Sequence, residues 1–278
     1  MIDRHALFQL ENVVKNIKES YDSYQFFKIF QIIQRFVIVY LSNFYLDVAK
    51  DRLYVGGTFS STRRSCQTVL AAHLLSVFRV IAPVLPHLAE DVWQHLPFQF
   101  TTEDGCLANF VFESKWPMLN ERHLAFPIEE VHFWEKILEL RTEVNKVLEV
   151  ARGKKLIGSS LEAKVYLHAF DDGLATRLVN MCTSENDADT LHRIFITSQV
   201  EILPSLENVQ DEDILCNGEY LIQGKTKYGS GCHVQLTRNV KDAGVFHLKL
   251  ALLTTIPRYV VAVMMLSASQ YQLWQWFS

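Results

Sequence analysis

The sequence is poor in the residues that build rigid metal or disulfide frameworks. Five cysteines are spread over 278 residues. They stand at Cys66, Cys106, Cys182, Cys216 and Cys232, and no two form a CxxC pair. That excludes a disulfide scaffold and a zinc site of the usual spacing, and it fits a reducing compartment. Catalytic signatures are missing too: there is no HExxH, GxSxG or GxGxxG. Gly224-Lys225-Thr226 resembles the end of a phosphate-binding loop, but Glu219 stands where its first glycine belongs. No apolar run follows Met1, so no signal or transit peptide is expected. The final segment, 259–278, carries no charge at all. Ser267, Ser269, Gln270, Gln272 and Gln275 dilute it, so no membrane anchor is expected there.

What is present is apolar. Hydrophobic residues make up 49% of the chain, enough for a sizeable core. The net charge of −4 argues against a protein that coats nucleic acid indiscriminately, and DNA is not an expected partner. The charge is uneven. Residues 1–80 hold ten Lys/Arg against six Asp/Glu, so a phosphate-binding face is expected there.

Periodicity predicts mostly helices. Asp3 can cap a helix running to about Tyr21, with Leu7, Leu10, Val14 and Ile17 as its stripe. A longer helix runs from Phe26 to about Leu53, burying Phe26, Phe30, Ile33, Val37, Tyr40, Leu41 and Phe44. Gly56-Gly57 breaks it. Arg63 to Ile81 is a third helix, ended by Pro83 and Pro86, and His87 to Leu96 a fourth. Residues 97–127 read as a connection, and Pro127 to Ala151 as a further helix. Then the period becomes two: Glu162–His168 and 199–203 read as strands, with a helical segment between them. The expected fold class is mainly α. A helical bundle (1–120) precedes a helix with a small α/β subdomain (121–208) and a divergent, poorly folded tail (209–278).

Candidate binding residues cluster at one helix turn. Lys50 and Arg52 close the second helix, Arg63 and Arg64 open the third, and Tyr54 lies between them. Cations with aromatics at a bundle end suit an RNA loop, which presents phosphates and unstacked bases. The same residues also fit ordinary helix-end charges, and Arg52 can instead pair with Asp47 or Asp51. His73, on an apolar helix, is expected to be a hydrogen-bonded packing residue. Glu90 and Asp91 are adjacent and point apart on a helix, so they do not make an acid/base pair.

Four strings carry a resemblance. They are LSNFYLDVAKDRLY (Leu41–Tyr54), RRSCQTVL (Arg63–Leu70), APVLPHLAEDVW (Ala82–Trp93) and KLIGSSLEA (Lys155–Ala163). In this order they resemble the anticodon-binding region of bacterial and organellar isoleucyl-tRNA synthetases, over about residues 2–225. The resemblance implies a partner, the anticodon stem-loop of tRNA(Ile), and a place in an organelle or a bacterial-type cytoplasm. Ligation in that family uses ATP, Mg and zinc in other modules. The HIGH-type and KMSKS-type motifs do not occur in this sequence. This chain is therefore expected to bind tRNA as a monomer, with no catalytic residue, metal or cofactor of its own. After Lys227 it departs from the family's zinc module. A shifted reading frame of the tail permits two CxxC pairs, which suggests a single-base shift near Lys227–Tyr228. The alternative function is a helical protein-interaction module without RNA binding.

Overall fold

The computed structural model describes residues 1–57, 59–102, 104–155, 157–169, 171–183 and 189–203, and the backbone of 232–238. It divides into two compact units. The first comprises Met1–Phe126, and the second begins at Pro127.

The first unit is a helical bundle. Helix α1 spans Ile2–Asp22. A continuous helical run follows: α2 (Phe26–Arg35), a π-helical stretch (Phe36–Leu46) and α3 (Asp47–Tyr54). Helix α4 (Ser61–Ile81) and helix α5 (Pro86–Gln94) follow, and α6 (Glu121–Leu124) is a single turn. Proline opens α5 at its first position, where its missing N–H would find no helical partner anyway. Leu10, Val14 and Ile17 of α1 meet Ile29 of α2, Phe36 and Val37, and Val77 and Val80 of α4. A second cluster joins Leu74, Phe78 and Ile81 to Ala89 and Trp93 of α5, and to Ala108 and Val111 beyond it. Glu90 accepts the Val111 backbone N–H at 2.9 Å and ties that connection down.

The long helix differs from a plain α reading. Phe26 is 51% exposed, and Ile29 takes the buried place expected of it. Between Phe36 and Leu46 the hydrogen bonding widens to i→i+5. Phe36, Leu41 and Leu46, five apart, are then all buried. An α-helix, with 3.6 residues per turn, would rotate them away from one another. Phe26–Tyr54 is long and apolar enough to cross a membrane by length and composition. Here Ile29, Phe36 and Val37 face α1 and α4 in the core, while Phe27 and Val39 are exposed.

The second unit begins with α7 (Ile128–Gly153), which buries Phe133, Trp134, Ile137, Leu140, Val144 and Leu148. Strand β1 (Ala163–Ala169) alternates buried and half-buried residues along its length, as a period-two sequence requires. Helices α8 (Asp172–Cys182) and α9 (Leu191–Phe195) lead to β2 (Gln199–Ile202), which pairs parallel to β1. Strand β3 (Cys232–Arg238) pairs antiparallel on the other side of β1, so the sheet order is β2-β1-β3. Strand β3 falls within the divergent tail, 209–278. The strand satisfies the edge of β1 that β2 leaves open. The rest of 209–278 lies outside the described residues, including Gly224-Lys225-Thr226 and the proposed frame shift.

Candidate nucleic-acid interface

The turn between α3 and α4 lies beside the start of α1. Asp3 was expected to cap α1. It sits instead in the first helical turn, with Met1 in the cap position, and its carboxylate is a hub. Arg52 donates to both Asp3 oxygens, at 2.9 and 3.0 Å. The Tyr45 hydroxyl donates to Oδ1 at 2.8 Å, and the Ser65 hydroxyl to Oδ2 at 2.5 Å. The Arg52 guanidinium also lies 5.8 Å from the centre of the Tyr45 ring. A carboxylate in the first turn of a helix gains from the helix dipole, and here it is shared by three elements.

This hub corrects the placement of Arg52. It is 7% exposed and joins α3 to α1, rather than standing on the surface or pairing with Asp47 or Asp51. Burial, the largest single influence, would lower its pKa, but Asp3, Cys66 and Tyr45 together hold it above its usual value. Burial likewise pushes the Cys66 thiol up. A buried guanidinium needs a carboxylate, and here the carboxylate comes from another helix, which sequence spacing does not reveal.

The other expected residues frame the same turn. Lys50 is exposed and bonded to Asp47 at 2.6 Å, one turn back. Arg63 is half-buried and donates to the Gly56 carbonyl at 3.3 Å, bracing the turn. Arg64 is exposed at the start of α4, and Tyr54 is half-buried at the end of α3. Sequence reasoning missed Phe59, which is 86% exposed within this turn. A lone Phe among Gly, Ser and Thr, between two helices, was the available signal.

His73 lies in the core behind this face, as a packing residue. Its ring is stacked between Phe36 and Tyr45, with centroids 5.7 and 5.8 Å away. Nδ1 is 2.7 Å from the Val69 carbonyl and must donate to it. Burial lowers its pKa to about 4, so it is neutral near pH 7. Among the described residues, no group of His, Cys, Asp and Glu could hold a metal ion.

Comparison with known proteins identifies a family. Residues 3–167 match the family described as the anticodon-binding domain of tRNA ligase. The chain is 67% identical to a chloroplastic/mitochondrial isoleucine–tRNA ligase of Arabidopsis thaliana, over 83% of this chain and 21% of the relative. It is 47% identical to an isoleucine–tRNA ligase of Thermosynechococcus vestitus over 75% of this chain, and 43% identical to that of Microcystis aeruginosa over 81%. The chain spans about a fifth of the length of these relatives.

Proposed function

The chain belongs to the family of tRNA-ligase anticodon-binding domains, and on that premise we propose that its α3–α4 turn receives the anticodon stem-loop of an isoleucine tRNA. The observation that supports this most is local. Lys50 and Arg64 are exposed, Arg63 braces the turn, and Phe59 and Tyr54 lie between them. Phosphates need the cations, and unstacked bases need a ring to lie against. Arg52 supports the surface from beneath. The ligation named for the relatives is assigned, in this reading, to other parts of such enzymes. This chain binds tRNA as a monomer without ligating it, and needs no metal or cofactor to do so. The organellar and cyanobacterial relatives support an organellar or bacterial-type setting.

The test is the double variant Arg63→Ala with Arg64→Ala. It is assayed against an isoleucine-type anticodon stem-loop at several salt concentrations, with circular dichroism to check folding. Removing each phosphate-binding side chain should reduce the salt slope by about 0.7–0.9. A folded double variant with wild-type affinity and slope overturns the proposed surface. One observation favours a second reading, a protein-docking module: Tyr24 and Phe27 are strongly exposed at the α1–α2 turn, with Phe26 between them. Failure of the wild type to shift the stem-loop would favour that reading.

A further inference from the structure

The chain that opens α4 is rich in hydroxyl groups and poor in acids. Ser60, Ser61, Thr62 and Ser65 surround Arg63 and Arg64, and the first turn of α4 holds no acidic residue. All but one of these hydroxyls are engaged. Ser60 and Thr62 share a hydrogen bond at 2.8 Å, and Ser65 donates to Asp3. Ser61 is exposed, and its hydroxyl has no partner among the described residues. Phe59, two positions earlier, is also strongly exposed, so an enzyme cleft can reach this stretch of chain.

Two features give this hydroxyl a chemistry. The first is its neighbour on the helix. Residues three apart face each other on a helix surface, so Arg64 lies beside Ser61 on α4. Arg64 is exposed and makes no ion pair among the described residues. A phosphate on Ser61 would meet it with a charge of about −1.5 to −2 at pH 7 and three acceptor oxygens. The second feature is the charge pattern that a modifying enzyme would read. Arg63 and Arg64 follow the hydroxyl at the second and third positions, and no Asp or Glu occurs anywhere from Arg52 to Ala89. An acid-lined substrate cleft is complementary to such a stretch, and a basic or apolar cleft is not. A free hydroxyl, a free guanidinium beside it and an acid-free surround thus meet in one exposed place.

We infer that Ser61 is a phosphorylation site for an arginine-selective protein kinase, and that its phosphate pairs with Arg64 and withdraws the turn's cations from RNA. In the transfer, Ser61 Oγ attacks the γ-phosphorus of ATP. The Oγ–P bond forms as the bond from that phosphorus to the β–γ bridging oxygen breaks. ADP leaves with the bonding electron pair, and the hydroxyl proton passes to the kinase's catalytic carboxylate. The inference rests on the RNA-binding reading above and adds a means of switching it off. The added charge offsets about two cations, so the modified turn loses the phosphate contacts that make RNA binding salt-dependent.

The test incubates the full chain with ATP and a purified arginine-selective serine/threonine kinase, and peptide mass spectrometry locates the phosphate. Ser61 should be modified, and the Ser61→Ala variant should take no phosphate on this turn. Modified wild type should bind a labelled isoleucine-type anticodon stem-loop about tenfold more weakly, with a salt slope reduced by about 1–2. Ser61→Ala should bind as the untreated wild type does, before and after kinase treatment. Melting temperature reads the pairing separately. Anions are favoured in the first turn of a helix and opposite arginine, so phosphorylation should raise it in the wild type and raise it less in Arg64→Gln. A kinase reaction that leaves Ser61 unmodified overturns the site. Modified protein with the affinity and salt slope of the untreated wild type overturns the switch. Equal shifts in melting temperature for wild type and Arg64→Gln overturn the pairing. If the wild type does not bind the stem-loop, the RNA reading and the switch fall, while the mass and melting data still decide the site and its pairing with Arg64.

Discussion

Asp3 holds the bundle end together through Arg52, Tyr45 and Ser65. Removing one partner of a buried pair leaves the other charge desolvated, which typically costs about 3–5 kcal/mol. Asp3→Ala should therefore lower stability by about that amount, seen as a reduced urea midpoint. Arg52→Met should cost less: it removes the buried charge and keeps most of the stem, while Asp3 retains its two hydroxyl donors. Equal losses for the two variants would show that the charge pair does not carry the effect. Lys50 gives the contrasting case. It is an exposed ion pair with a partner on its own helix, and such pairs contribute about 0–1 kcal/mol. A Lys50→Ala change should be felt in RNA binding rather than in stability.

At the scale of the element, Gly56 governs the turn that presents Arg63, Arg64 and Phe59. A Cβ on Gly56 would lie 2.5 Å from the Arg52 carbonyl oxygen, so backbone would have to move. Gly56 also supplies the carbonyl that Arg63 holds. Gly56→Ala should lower the melting temperature and weaken stem-loop binding together, whereas Gly57→Ala, which meets nothing within 4 Å, should change neither by much. Differential scanning fluorimetry and gel shift on the same preparations check both. The π-helical stretch matters in the same way. Its wider turn keeps Phe36, Leu41 and Leu46 in the core.

For the molecule as a whole, acid should be the revealing condition. Burial lowers the pKa of both His5 and His73 from 6.5 to about 4. The folded protein resists protonation at both sites, and the unfolded chain does not. Stability is thus complete above pH 6.5 and falls as pH drops from 6.5 towards 4. At about pH 5 the loss is roughly 2 kcal/mol per histidine relative to about pH 7. Urea unfolding at the two pH values checks this, and His5→Gln should flatten the dependence by about half. A stability that does not change between the two overturns it.

Local rules made much of this architecture legible from the sequence. The three-and-four spacing in α1, the glycine pair after Tyr54, the prolines around α5 and the alternation in β1 each depend on neighbouring residues, so sequence alone marks them. It also placed Lys50, Arg63, Arg64 and Tyr54 around one turn, because residues close to a helix break stay close in space. Tertiary structure decided what depends on distant partners. Arg52 and Asp3 are forty-nine positions apart and meet only when α1 packs against α3. No periodicity distinguishes that buried guanidinium from an exposed one. Phe59 is exposed because, among the described residues, no other element covers its turn, and His73 is buried because two aromatic rings from the long helix enclose it. Strand β3 took its place by pairing with β1, through backbone hydrogen bonds that are largely indifferent to side-chain pattern. Short-range propensity and spacing are written along the chain, whereas burial and pairing are properties of surfaces that exist only once the helices and strands have met.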